Sequence, residues 1–154
     1  MRPSIEKQLE EMPNSEKKEM GYSLCTKLTK ALDEELDIKE EVVGLASAYI
    51  GGDSAATHKT GIIAVTPERV VFGSMGPGVS SSTPDFEGWR WSRVNGSRDN
   101  RPLFGGVELY LRVDGTERKF NVGSSKGPSK EWAQERICKQ IAKRAKRGPG
   151  SAFA

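Results

Sequence analysis

The side chains in this chain that could do chemistry are few and widely spaced. His58 is the sole histidine, and with Asp53 close by it could serve as a general base or a metal ligand. It sits in the polar connector DSAATHKT and reads as a surface loop residue. Cys25 and Cys138 could act as nucleophiles or zinc ligands, yet one His and two separated Cys fall short of the four-ligand set that structural zinc takes. Both cysteines fall in helical patterns, where a reduced, partly buried thiol fills space. The run GSMGPG at 73–78 has a phosphate loop's glycines without the strand, the Lys-Ser/Thr pair and the helix that place donors around phosphate. Asp85 and Glu87 are loop carboxylates with no partnered base. The pattern points away from an enzyme, and neither metal nor cofactor is expected.

Binding chemistry is better represented. Arg90, Trp91, Arg93, Arg98 and Arg101 gather cations around an aromatic ring within twelve positions. Trp offers a flat anchor with one donor, and Arg engages carboxylate or phosphate in two-pronged fashion. The same residues also fit a core tryptophan with arginines on its rim, and both readings stand. A second basic group, Lys143, Arg144, Lys146 and Arg147, ends the last helical pattern. There it complements the helix dipole and aids solubility; as a binding patch it would attract anionic lipid, nucleic-acid backbone or an acidic protein segment.

The elements that must carry these groups follow from length and patterning. With 154 residues and 16.9 kDa the chain suits one modest domain with terminal extensions. Mean hydropathy is −0.59, and no run approaches the roughly 18 apolar residues of a membrane span. The N-terminus lacks the apolar core of a secretion signal, so a soluble, cytoplasmic protein is expected, with peripheral membrane contact as the variant. The formal charge of +3 is uneven: residues 1–41 hold eleven Asp or Glu against seven Lys or Arg, which leaves +7 on the remainder.

Residues 1–20 combine prolines, charges and few large apolar groups, and are expected to be a flexible tail. Over 21–38, Leu24, Leu28, Leu32 and Leu36 recur every four residues and predict an amphipathic helix packed on the domain's own sheet, on a partner or on a second copy. EEVVGLASAYIGG reads as the first strand. GIIAV and VVFG flank Thr66-Pro67-Glu68-Arg69 and predict a tight hairpin, with Thr66 bracing the turn and Arg69 pairing with a carboxylate or carbonyl. SMGPGVSSSTPDFEG reads as a loop, WRWSRV as a strand and NGSRDNRP as a polar turn. In LFGGVELYLRVDGTERKFNV, Val107, Leu109, Leu111 and Val113 alternate with polar residues, and Asp114-Gly115 supplies a hairpin turn. Ser129 is placed to cap a final helix whose buried stripe is Ala133, Ile137, Cys138, Ile141 and Ala145. Many strands and no β-α-β alternation predict an α+β fold: a strongly bent antiparallel sheet or small barrel capped by the C-terminal helix, with an additional N-terminal helix.

The hairpin GIIAVTPERVVF, the later WRWSRV and the KFNV that precedes the helix resemble the bacterial pleckstrin-homology-like domain family over about residues 40–147. The resemblance implies a bent sheet of about seven strands with a C-terminal helix across one end, here the PH-like domain at 39–147, followed by a flexible tail at 148–154. It implies no assigned activity, and the basic phosphoinositide-binding loop of eukaryotic relatives has no equivalent between Val65 and Val70. The functional expectation is a non-enzymatic interaction module that binds a protein or peptide, with self-association open. The alternative is a peripheral binder of anionic lipid or nucleic acid through the basic patches.

Overall fold

Four apolar residues in a row, Ile62-Ile63-Ala64-Val65, cannot all face one core in an extended chain. The fold resolves this by burying both faces of the strands around them. The computed structural model describes residues 1–51, 59–75, 83–100, 107–123 and 133–145. Three helices come first: α1 (Pro3–Glu11), α2 (Asn14–Met20) and α3 (Tyr22–Glu35). Four strands follow: β1 (Gly44–Ile50), β2 (Lys59–Val65), β3 (Arg69–Met75) and β4 (Pro84–Arg90). A 3-10 turn at Trp91–Arg93 leads to β5 (Val94–Asn100), β6 (Val107–Val113), β7 (Thr116–Val122) and the last helix, α4 (Ala133–Ala145).

All pairings are antiparallel, in the order β4-β3-β2-β1-β7-β6-β5. On one side of the sheet Ala46, Ile63, Val65, Val70 and Phe72 join the apolar row of β6, with Ile137 and Ile141 of α4. On the other, Leu45, Ile62, Ala64 and Val71 meet Leu28, Leu32 and Leu36 of the α3 region. The leucine edge therefore packs on its own sheet, and each fully buried leucine contributes about 1.5–3 kcal/mol. β6 is covered on one face only, so its burial alternates residue by residue. Asp114 (φ 49°) and Gly115 (φ 83°) adopt the left-handed conformations that a two-residue hairpin turn demands.

The sheet is open, and the barrel alternative is corrected accordingly: β4 and β5 are its two edges and do not pair with each other. Side chains draw the two halves together instead. Trp89 and Phe72 both lie tilted against Phe120, at 6.2 and 5.4 Å between ring centroids. At the mouth, Arg118 of β7 reaches Glu87 of β4 at 3.2 Å and stands 5.0 Å over the Trp89 ring.

Residues 1–20 are not the tail expected from composition. Ile5 and Met12 are buried beneath α1 and α2, and Arg2 supplies the anchor. Its guanidinium donates to the carbonyls of Asp33 (2.7 Å), Asp37 (2.8 Å) and Glu40 (2.7 Å), and to the Asp33 carboxylate (2.7 Å). Helix C-termini leave carbonyls without partners, and a planar cation there satisfies several at once.

Three further expectations are revised. WRWSRV is the end of β4, the 3-10 turn and the start of β5 rather than one strand. NGSRDN belongs to β5, because backbone pairing with β6 holds an edge strand whose side chains need no core. Ser74–Met75 and Pro84–Gly88, read as loop, extend β3 and β4. Both cysteines are free and buried. His58, Arg101, Ser129, Lys146, Arg147 and the segment 148–154 lie outside the described residues.

Candidate interaction surface

The tight turns of the sheet collect at one end, and a buried carboxylate organises them. Glu40, on the connection from α3 to β1, is 5% exposed. Arg69 Nη2 donates to its Oε1 at 2.7 Å and Arg69 Nε to its Oε2 at 3.1 Å. Thr66 Oγ1 donates to Oε2 at 2.9 Å, and the Asp37 backbone N–H donates to Oε1 at 3.0 Å. The Thr66 hydroxyl in turn accepts from the backbone N–H groups of Glu68 (3.2 Å) and Arg69 (3.1 Å), so it braces the hairpin turn as its type and place suggest. Desolvation is the largest influence on the Glu40 carboxyl and pushes its pKa up. The hydrogen bonds from Arg69, Asp37 and Thr66, with the Arg69 charge, outweigh that and leave it below the usual value.

Trp91 is fixed to the same turn. Its indole Nε1 donates to the Thr66 carbonyl at 2.9 Å, and its backbone N–H points to the Glu68 carbonyl at 3.4 Å. The ring is half-buried against the core while the chain around it stays exposed. Arg90 precedes it, exposed and directly opposite Arg69 in the β3–β4 register. Arg93 follows, exposed and paired with Asp114 of the β6–β7 turn, its Nε 2.9 Å from the carboxylate. Arg90, Trp91 and Arg93 therefore share one corner.

Arg98 does not join them. It lies farther along β5, about 15 Å from the corner by strand rise, with its guanidinium 3.8 Å from the Tyr110 ring centroid and 3.2 Å from Glu117. Of the second basic group, Lys143 is exposed, and Arg144 donates to the Gln140 carbonyl one turn earlier at 3.2 Å. Burial raises the Cys25 pKa, which keeps its thiol protonated. Among the described residues, no three His, Cys, Asp or Glu side chains come together as a metal set.

This arrangement of seven antiparallel strands and flanking helices is similar overall to solved structures. A DUF1696 family protein with a pleckstrin-homology domain, from Shewanella loihica, superposes with a TM-score of 0.50 at 14% identity, over 79% of this chain and 92% of that one. The chain has a bacterial pleckstrin-homology-like fold. A pleckstrin homology domain from Shewanella amazonensis is also similar, with a TM-score of 0.46 at 19% identity over 79% and 87% of the two chains. So is the C-terminal domain of an unknown protein from Leishmania infantum, at 0.46 and 11% over 81% and 95%. No family model and no curated protein matches the sequence.

In this PH-like fold the α1–α3 layer covers one sheet face, and none of the helices described is long and apolar enough to cross a membrane. Two residues central to the turn end, Glu40 and Arg2, carry no sequence signal. Each is one charge in a charged stretch, and apart from the Asp37 N–H on Glu40 its partners lie 26 to 38 positions away.

Proposed function

We propose that this PH-like domain is a non-enzymatic interaction module that holds an extended segment of a protein partner along the β5 edge, beginning at the corner of Arg90, Trp91 and Arg93. The supporting observation is the meeting of an open edge with a rigid corner. Among the described residues β5 pairs only with β6, so one row of its backbone groups is unclaimed by the sheet. An added strand gains main-chain hydrogen bonds there, while nearby side chains choose which strand is accepted. Trp91, pinned to Thr66, offers an aromatic face at little entropic cost, and Arg90 offers a cation that forms no ion pair among the described residues. The two free, buried thiols suit a reducing compartment such as the cytoplasm.

Affinity capture from native lysate with the wild-type chain and an Arg90→Glu/Arg93→Glu variant tests this reading, with near-ultraviolet circular dichroism confirming both folds. A defined protein recovered by the wild type and lost from the folded variant supports it. An identical set recovered by both overturns it.

A second reading draws on α4. Arg136, Lys139 and Lys143 fall on one helical flank, and Lys139 and Lys143 are exposed. That flank would take nucleic-acid backbone or an anionic lipid surface with steep salt dependence. Retention on heparin or anionic vesicles that is lost in Lys139→Glu/Lys143→Glu, and unaffected at Arg90, would favour it.

A further inference from the structure

Residues of the first helix and Arg136 of the last line a cleft of about 590 Å3, together with Glu41, Val42 and Val43. Ser4, Lys7, Gln8 and Glu11 stand at i, i+3, i+4 and i+7 of α1 and therefore share the face that lines it; Arg136 of α4 lines the other side. The hydrogen bonds formed there leave donors over. Gln8 is only 7% exposed, and its Oε1 accepts from Arg136 Nη1 at 3.0 Å, which fixes Nε2 as a donor without a partner among the described residues. Ser4 Oγ accepts from the Val42 backbone N–H at 3.0 Å, so its own proton remains to be given. Arg136 uses Nη1 for both Gln8 and Glu11, which leaves Nε and Nη2 uncommitted among the described residues. Lys7 makes no ion pair there either.

The Gln8 amide lines the cleft and can donate to an acceptor placed there. Here it stands among the Ser4 hydroxyl, the Lys7 ammonium and the Arg136 guanidinium that also pairs with Glu11, beside Val43 and Pro3. The one uncommitted carboxylate of the lining is the exposed Glu41, and it would repel a second negative charge.

We infer that this cleft is a binding site for a small amphipathic monocarboxylate, its carboxylate on Gln8, Lys7, Ser4 and Arg136 and its apolar body on Val42, Val43 and Pro3. The volume falls within the range of small-molecule sites. This site uses neither β5 nor its corner and stands apart from the peptide reading. Its carboxylate could come from a free acid or from the C-terminus of a polypeptide.

Titration of the 15N-labelled full chain, followed by 1H–15N correlation spectra, tests it. The probes are hexanoate, neutral hexanamide, succinate and an N-acetylated tripeptide with a free C-terminus. Hexanoate should give saturable shifts at Ser4, Lys7, Gln8, Val42 and Val43, with hexanamide and the Lys7→Met variant each about tenfold weaker. Glu41→Gln should tighten hexanoate and lessen the discrimination against succinate. A tripeptide that binds tighter than hexanoate assigns the carboxylate to a polypeptide end; the reverse assigns it to a free acid. Equal binding of hexanoate and hexanamide, shifts confined to other surfaces, or no saturable shift with either carboxylate in the folded chain would overturn the inference.

Discussion

Glu40 and Arg69 form an ion pair, Nη2 to Oε1 at 2.7 Å, between side chains that are 4% and 24% exposed respectively. The pair ties the α3–β1 connection to the β2–β3 turn, and through Thr66 it also positions Trp91. A carboxylate taken from water at this depth is tolerated only because every donor around it is aimed at it.

Removing one partner should therefore cost more than an exposed ion pair is worth. Arg69→Ala strands the Glu40 charge and should lower unfolding free energy by about 3 kcal/mol in urea denaturation. Arg69→Lys keeps the charge but loses the two-pronged geometry and should fall between wild type and alanine. A loss no greater than that of an exposed pair would refute this role.

The same pair predicts acid sensitivity. The folded Glu40 pKa lies below its unfolded value of 4.5, so the unfolded chain takes up the proton first as pH falls. Its stabilisation is complete above pH 4.5 and drains away as pH drops through the folded value. Asp33 acts in the same direction, its pKa lowered chiefly by the hydrogen bond from Arg2. Melting temperature should fall below pH 4.5 in the wild type and fall less steeply in Glu40→Gln, with a residual slope from Asp33. Parallel slopes would count against Glu40.

Two glycines of one sheet should respond oppositely to alanine. A Cβ on Gly61 would sit 1.8 Å from the Gly73 carbonyl oxygen, whereas one on Gly44 would meet the Ile137 Cα at an ordinary 3.5 Å. Gly61→Ala should cost at least about 3 kcal/mol or prevent folding, because backbone must move. Gly44→Ala should stay within about 1 kcal/mol, and Gly44→Leu should displace α4. Denaturant midpoints for the three variants decide it.

Arg2→Ala should release the N-terminal helices before the sheet. Hydrogen exchange of α1 amides should accelerate at least tenfold while the β2 and β6 amides keep their protection, about 1.5–3 kcal/mol being lost locally with the charged hydrogen bonds. Uniform acceleration throughout would show that α1 is not a separate unit.

Sequence alone determined the parts whose pattern is local. The alternation of VELYLRV announces a strand wet on one face, Thr-Pro-Glu-Arg between aliphatic runs announces the hairpin, and four leucines at helical spacing announce α3. Their apolar periodicity states the direction of the core whatever the partner. Tertiary structure decided the rest. β5 exists because β6 offers it a backbone ladder, which the polar side chains of NGSRDN could not advertise. α1 and α2 are ordered by a few buried residues and by Arg2 reaching carbonyls more than thirty positions away. Arg90, Trp91 and Arg93 became a corner, and Arg98 was carried off along β5, only once the chain turned at residues 91–93 and passed from one edge of the open sheet to the other. Long-range pairing of single charges and of backbone groups has no period in sequence. Only the folded chain brings those partners within hydrogen-bonding distance.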